Sequence, residues 1–83
     1  MKVRVRYFAS VREALGPGET IEVEPGATVG TVRSALIARD AAHAAALHRG
    51  RAVRSALDQV LCEESAPVGE GAEIGFFPPV TGG

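Results

Sequence analysis

An α+β fold, one mixed β-sheet curled around one main helix, is what the sequence predicts, and three patterns predict it. Apolar and polar residues alternate over residues 2–8 and again over 20–24, the period-two mark of strands with one buried face. Val29, Val32, Leu36 and Ile37 then recur at helical spacing. Three short strand-like runs follow, residues 53–57, Val60–Cys62 and Glu73–Phe77.

In the first strand Val3, Val5 and Tyr7 fall on one side, with Lys2, Arg4, Arg6 and Phe8 on the other. Phe8 is thus a large apolar residue on a polar face. Ser10-Val11-Arg12-Glu13 reads as a capping box for a short helix, which Gly16-Pro17-Gly18 stops. Ile21 and Val23 point inward in the second strand, and Pro25-Gly26 turns the chain. Thr28 is the expected N-cap of the main helix, and Gly30 weakens its first turn by about 1 kcal/mol relative to Ala. The alanine-rich residues 40–49 either extend that helix or start a second one, and Gly50 closes the stretch. Asp58-Gln59 suits a turn between two short strands, and Gly69-Glu70-Gly71 a turn before the last. This order is the β-grasp arrangement, in which the last strand lies beside the first.

With 83 residues the chain makes one small domain, hiding roughly 60–65% of its unfolded surface. A net charge of −1 argues against nucleic acid, because phosphate binding needs a basic excess. There is no apolar run of bilayer length and no signal-peptide pattern, so no membrane role is expected and the cytoplasm is the default location. The single cysteine, Cys62, fits a reducing compartment and reads as a small packed residue.

No cluster of ligand residues supports a metal. His43 and His48, five apart, share a helix face poorly and read as surface residues. Glu63-Glu64, Arg4 and Arg6 read as solvated faces. No glycine-rich phosphate loop is present, and no nucleophile, base and oxyanion hole assemble. The free protein is therefore expected to bind no cofactor and to have no catalytic pocket of its own.

The informative end is Phe76-Phe77-Pro78-Pro79-Val80-Thr81-Gly82-Gly83. Pro78 and Pro79 stiffen an extended arm, and two glycines without side chains suit a flexible tip that threads a narrow channel in another protein. The expected division is a β-grasp domain over residues 1–77 and an arm over 78–83, with the Gly83 carboxylate as the reactive group. Parity puts Ile74 and Phe76 in the core and turns Phe77 outward, next to Phe8 on the neighbouring strand. Two exposed phenylalanines at the base of the arm make an apolar patch that calls for a partner.

Tyr7-Phe8-Ala9-Ser10-Val11-Arg12-Glu13, Ala56-Leu57-Asp58-Gln59 and the run from Gly71 to Gly83 together resemble the small subunits of molybdopterin synthase (MoaD), a family of ubiquitin-like sulfur carriers. The resemblance covers nearly the whole chain. A terminal Gly-Gly is common to ubiquitin-like proteins, whereas the Phe-Phe-Pro-Pro-Val-Thr-Gly-Gly ending is particular to this branch. Asp58 stands where the family often has Asn, Ala72 where it often has Asp, and residues 40–55 match poorly. The resemblance implies that Gly83, behind Gly82, is adenylated by an E1-like adenylyltransferase of the MoeB type, which uses ATP in trans. Sulfur then replaces AMP to give a thiocarboxylate. It also implies docking on a large subunit, MoaE, in a heterotetramer of two small and two large subunits. There, cyclic pyranopterin monophosphate takes up sulfur to form molybdopterin, so the chain would be the sulfur-donating subunit of a sulfurtransferase. Carried over residue by residue, Phe8, Leu61 and Phe77 form the apolar docking patch, Arg12 a polar contact beside it, and Pro78, Pro79, Val80 and Thr81 the inserted arm. Two alternatives stay open: a sulfur carrier for thiazole, cysteine or thiolated tRNA synthesis, and a ubiquitin-like modifier of lysines.

Overall fold

The computed structural model describes residues 1–79. The elements run β1 (Lys2–Tyr7), α1 (Ala9–Leu15), β2 (Gly18–Glu22), α2 (Val29–Ile37), α3 (Ala41–Leu47), β3 (Arg54–Leu57), β4 (Val60–Cys62) and β5 (Glu73–Phe77). The strands form one mixed sheet in the order β2-β1-β5-β3-β4. Only the central β1–β5 pair is parallel among the described strand pairs, with Val5 opposite Ile74 and Tyr7 opposite Phe76.

The alternation in β1 is realised as expected: Val3, Val5 and Tyr7 are buried while Lys2, Arg4 and Arg6 are exposed. Ile74 and Phe76 join them on the inner face, which α2 covers with Val29, Val32 and Leu36. These branched and aromatic side chains form the core, and burying each in full stabilises the fold by about 1.5–3 kcal/mol. The alanine-rich stretch forms a second helix, α3, rather than extending α2. The Asp40 carboxylate accepts the His43 amide at 2.8 Å, capping the new helix, and Ala46 and Leu47 turn into the core.

Three local expectations change. The Ser10 capping box does not form, because the helix starts earlier. Phe8 donates its amide to the Phe76 carbonyl at 3.1 Å, and the chain turns at once through Ala9, whose φ is 51°. Phe8 is therefore the N-cap, without a side-chain cap, and its carbonyl accepts from Val11 and Arg12. By contrast Thr28 caps α2 as expected, with Thr31 closing the box: each side chain accepts the other residue's amide, at 3.1 and 3.2 Å. The second strand begins at Gly18, opposite Arg6, and ends at Glu22, so Val23 packs at the core's edge beyond it. The third change concerns Gly30. A Cβ there would lie 2.9 Å from the Glu64 carboxylate, and the Gly30 amide donates to the Glu64 carbonyl at 2.8 Å, so glycine permits a loop to approach the first turn of α2.

Two polar clusters hold the helices in place. Arg33 on α2 is buried, donating Nε to the Leu47 carbonyl at 2.7 Å and Nη2 to the His48 carbonyl at 3.1 Å, at the end of α3. Its Nη1 donates to Glu64 at 3.0 Å, and Arg49 bonds the other oxygen of that carboxylate at 2.6 Å. Glu64 is thus a structural counter-ion rather than part of a solvated face.

The second cluster corrects the reading of His43 as a surface residue. Its side chain is only 12% exposed, with Nε2 at 2.9 Å from Glu19 and Nδ1 at 2.8 Å from Asp40. The Tyr7 hydroxyl donates to Glu19 at 2.7 Å, and Arg39 pairs with the same carboxylate. β1, β2 and the start of α3 are thereby tied together. His48, by contrast, is exposed as expected.

Burial alone pushes the Glu19 carboxyl up, but hydrogen bonds from Arg39, His43 and Tyr7 outweigh it and pull the pKa from 4.5 down to about 2. Burial likewise opposes charge on His43, yet its bonds to Glu19 and Asp40 prevail and raise it above the ordinary 6.5. A depressed carboxylate stabilises the fold above its unfolded pKa, and that contribution is lost as pH falls through the folded value. A raised histidine stabilises below its unfolded pKa and loses its contribution as pH rises through the folded value. Urea denaturation should therefore show this cluster contributing most between pH 4.5 and 6.5. Its contribution should fall toward pH 2 on the acid side and above 6.5 on the other. Glu19→Gln should lower stability in that window and flatten both limbs; unchanged limbs would mean that the cluster does not couple to folding.

Candidate functional site

The sheet's outer face carries a groove at the end where β1 and β5 finish. In-register pairing builds it. Gly75 of β5 lies opposite Ala56 of β3, which lies opposite Leu61 of β4, so the three share the outer face in one row. Phe77, two residues beyond Gly75, lies on the same face with Arg54 as its cross-strand neighbour. Phe8 enters from the end of β1. Together with Gln59 of the hairpin turn and Glu73, these residues line an apolar concavity of about 490 Å³.

Phe8 and Leu61 are 39% and 56% exposed, large values for apolar side chains standing together. Phe77 faces outward as parity required, but it is half-buried, a wall of the groove rather than a free anchor. The Phe8 ring lies over Gly75, where an added Cβ would come within 3.0 Å of it. The Arg6 guanidinium carbon sits 5.5 Å from the centre of the same ring, within cation–π range. Gly75 is thus the floor that seats Phe8.

The expected patch of Phe8, Leu61 and Phe77 is brought together. Arg12 is exposed on α1 and does not line the groove. Pro78 and Pro79 follow β5 directly, half-buried, so the arm leaves from the groove's edge. Val80, Thr81, Gly82 and Gly83 lie outside the described residues. Gly75, Ala56, Gln59 and Glu73 also line the groove, although none is among the site residues the sequence points to. A glycine inside a strand is itself a sign of close approach, and it was the available signal. The others needed the strand register.

Elsewhere, Cys62 is half-buried with its Sγ 3.9 Å from the Ser55 hydroxyl. No group of three or more His, Cys, Asp or Glu is placed to hold a metal among the described residues. No helix among them is long and apolar enough to cross a membrane.

A mixed sheet with parallel first and last strands and a helix across its inner face defines a ubiquitin-like β-grasp protein. Residues 5–83 match the ThiS family. Across 81 residues the chain is 37% identical to the molybdopterin synthase sulfur carrier subunit of Escherichia coli K12, covering 98% of this chain and 99% of that one. The Haemophilus influenzae Rd protein of the same name is 39% identical over 82 residues, again covering 98% and 99%. Among solved structures, the complex of subunits 1 and 2 of the molybdopterin-converting factor from Helicobacter pylori 26695 contains a chain that superposes with a TM-score of 0.69. That chain is 26% identical, with all of both chains covered. The chain therefore belongs to the ThiS family, on the branch of molybdopterin synthase sulfur carrier subunits.

Gly75→Ala should displace the Phe8 ring while leaving the fold intact. The outward Cβ meets only that ring, so the loss of stability should stay near the low end of the ~1–3 kcal/mol typical of overpacking. Chemical denaturation and the aromatic NMR shifts of Phe8 check it. Native shifts in the variant would show that Gly75 does not seat the ring.

Proposed function

We propose that this chain is the sulfur carrier subunit of a molybdopterin synthase. The observation that carries this reading is the apolar groove of Phe8, Leu61 and Phe77 at the root of an arm ending in Gly82-Gly83. A partner that covers the groove holds the arm at a constant offset from its own active site. Support comes from the family and from the similar Helicobacter pylori chain, which was solved in complex with subunit 2.

The chemistry acts at the Gly83 carboxylate. A terminal carboxylate is ionised at neutral pH and a poor electrophile. An E1-like adenylyltransferase, binding ATP itself, joins the carboxylate oxygen to the α-phosphorus of ATP and releases pyrophosphate. Hydrosulfide, HS⁻, then attacks the carbonyl carbon, AMP leaves with the C–O bond electrons, and loss of the proton leaves a terminal thiocarboxylate. The large subunit receives the arm; the thiocarboxylate sulfur bonds to a carbon of its bound cyclic pyranopterin monophosphate as a C–O bond there breaks, and water then attacks the Gly83 carbonyl, breaking its C–S bond and restoring the carboxylate. A dithiolene has two sulfurs and each small subunit carries one, so two deliveries complete it. Pro78 and Pro79 keep the arm extended, and Gly82 and Gly83 give it a tip slim enough for an enclosed site.

Deleting Gly83, or adding one residue after it, should abolish molybdopterin formation with purified partners while the melting curve stays native. Normal product from the shortened chain would overturn the carrier reading. By removing a wall of the groove, Phe77→Ala should weaken binding to the large subunit by ~2–4 kcal/mol, the range of an interface hot spot. Its cost to folding should fall short of the ~3–5 kcal/mol of a core phenylalanine. Calorimetric titration and chemical denaturation separate the two. Native affinity with a large stability loss would return Phe77 to the core.

A further inference from the structure

The groove is apolar, but its surroundings are basic. Around it stand Arg4, Arg6 and Arg54 against Glu73 and, in the hairpin turn, Asp58, whose carboxylate accepts the Glu73 amide at 2.9 Å; Lys2 and Glu22 pair at the far end of β1, and the chain as a whole carries a net charge of −1. Glu73 offers one carboxylate to two guanidiniums, at 3.8 Å from Arg4 and 4.0 Å from Arg6, the outer limit of an ion pair. The carboxylate side chain is 14% exposed, while those of Arg4 and Arg6 are 58% and 49% exposed. The negative charge therefore lies beneath and the positive heads stand above it. Arg54, exposed beside Phe77, makes no ion pair with the described residues.

We propose that the groove selects its partner by charge: the docking surface of the large subunit carries carboxylates placed to meet Arg54 and Arg6 around an apolar plug that fills the groove. This rests on the reading that the large subunit docks there. A partner that covers the groove also desolvates its rim. Guanidinium heads that lose water without gaining a counter-ion oppose binding, and a basic partner surface is repelled. An acidic rim removes the first penalty, and a groove framed in this way rejects partners that match it in shape alone. Arg6 links the two halves of the device, since the guanidinium that greets the carboxylate also lies against the Phe8 ring.

The test measures association of the full chain with the large subunit from the same organism, by stopped-flow fluorescence, between about 0.05 and 0.5 M NaCl. Arg54 is exposed and unpaired among the described residues, so Arg54→Glu should keep the native melting temperature. Its association rate at low salt should fall about tenfold, with a smaller change in the dissociation rate, as reversal of a rim charge does. The difference should close at high salt, and Arg54→Lys should associate at nearly the native rate. Should Arg54→Glu fail to fold, Arg6→Gln is read in the same way and should also associate more slowly at low salt. Equal rates for the charge variants and the native chain at low salt, or a deficit that persists at high salt, would overturn the proposal. No binding at all by the native chain would overturn the reading on which it rests, and the proposal with it.

Discussion

The parallel pairing of β1 with β5 is the constraint on which the rest of the structure depends. It places the first and last strands side by side at the centre of the sheet. Val5 beside Ile74 and Tyr7 beside Phe76 then form the middle of the core. Because side chains alternate, the same register forces Gly75 and Phe77 onto the outer face, where Phe8 meets them. A slip of one residue would exchange the faces, exposing Ile74 and Phe76 and dissolving the groove. Core and candidate site are thus two sides of one register, which lets a domain this small carry both.

The helices depend on a different kind of restraint. α1 and α3 have seven residues each and α2 has nine, too short for helical propensity alone to hold them. Arg33 and Glu19 supply direction. Arg33 gathers carbonyls at the end of α3, and Glu19 gathers Tyr7, Arg39 and His43 at its beginning. No buried side-chain nitrogen or oxygen among the described residues lacks a hydrogen-bond partner, so both clusters are fully satisfied. Satisfied polar clusters define one arrangement of elements where an apolar seam would accept several. None of their residues lines the groove.

The proposed sulfur carrier makes sense of this division. In that proposal the arm would carry the reactive chemistry and the groove the recognition, while the opposite face holds the core. Since the activated terminus would react inside other proteins, the domain needs no pocket for catalysis. It needs a rigid platform that fixes where the arm begins. Pro78 follows the last strand without a linker, so that starting point is set by the most buried strand of the sheet.

The sequence by itself determined the strands, the main helix and the outward direction of Phe8 and Phe77, because these follow from local periodicity. A period of two shows which side of a strand is buried, and Thr28 with Val29, Val32 and Leu36 shows where a helix begins and which way it faces. The family likeness was also legible, since Phe-Phe-Pro-Pro-Val-Thr-Gly-Gly is a contiguous motif. What only the tertiary structure decided involves residues far apart in the chain. Ser10 lost its capping role to Phe8 because a hydrogen bond to Phe76 set where the strand ended. His43, polar in an alanine-rich segment, joined Glu19 and Tyr7 because the docking of α3 brought them together. Gly30 and Gly75 looked like weak points in a helix and a strand; each proved to be a place where another segment comes close. Burial, ion pairing and close approach depend on which distant residue arrives, and local pattern carries no record of that.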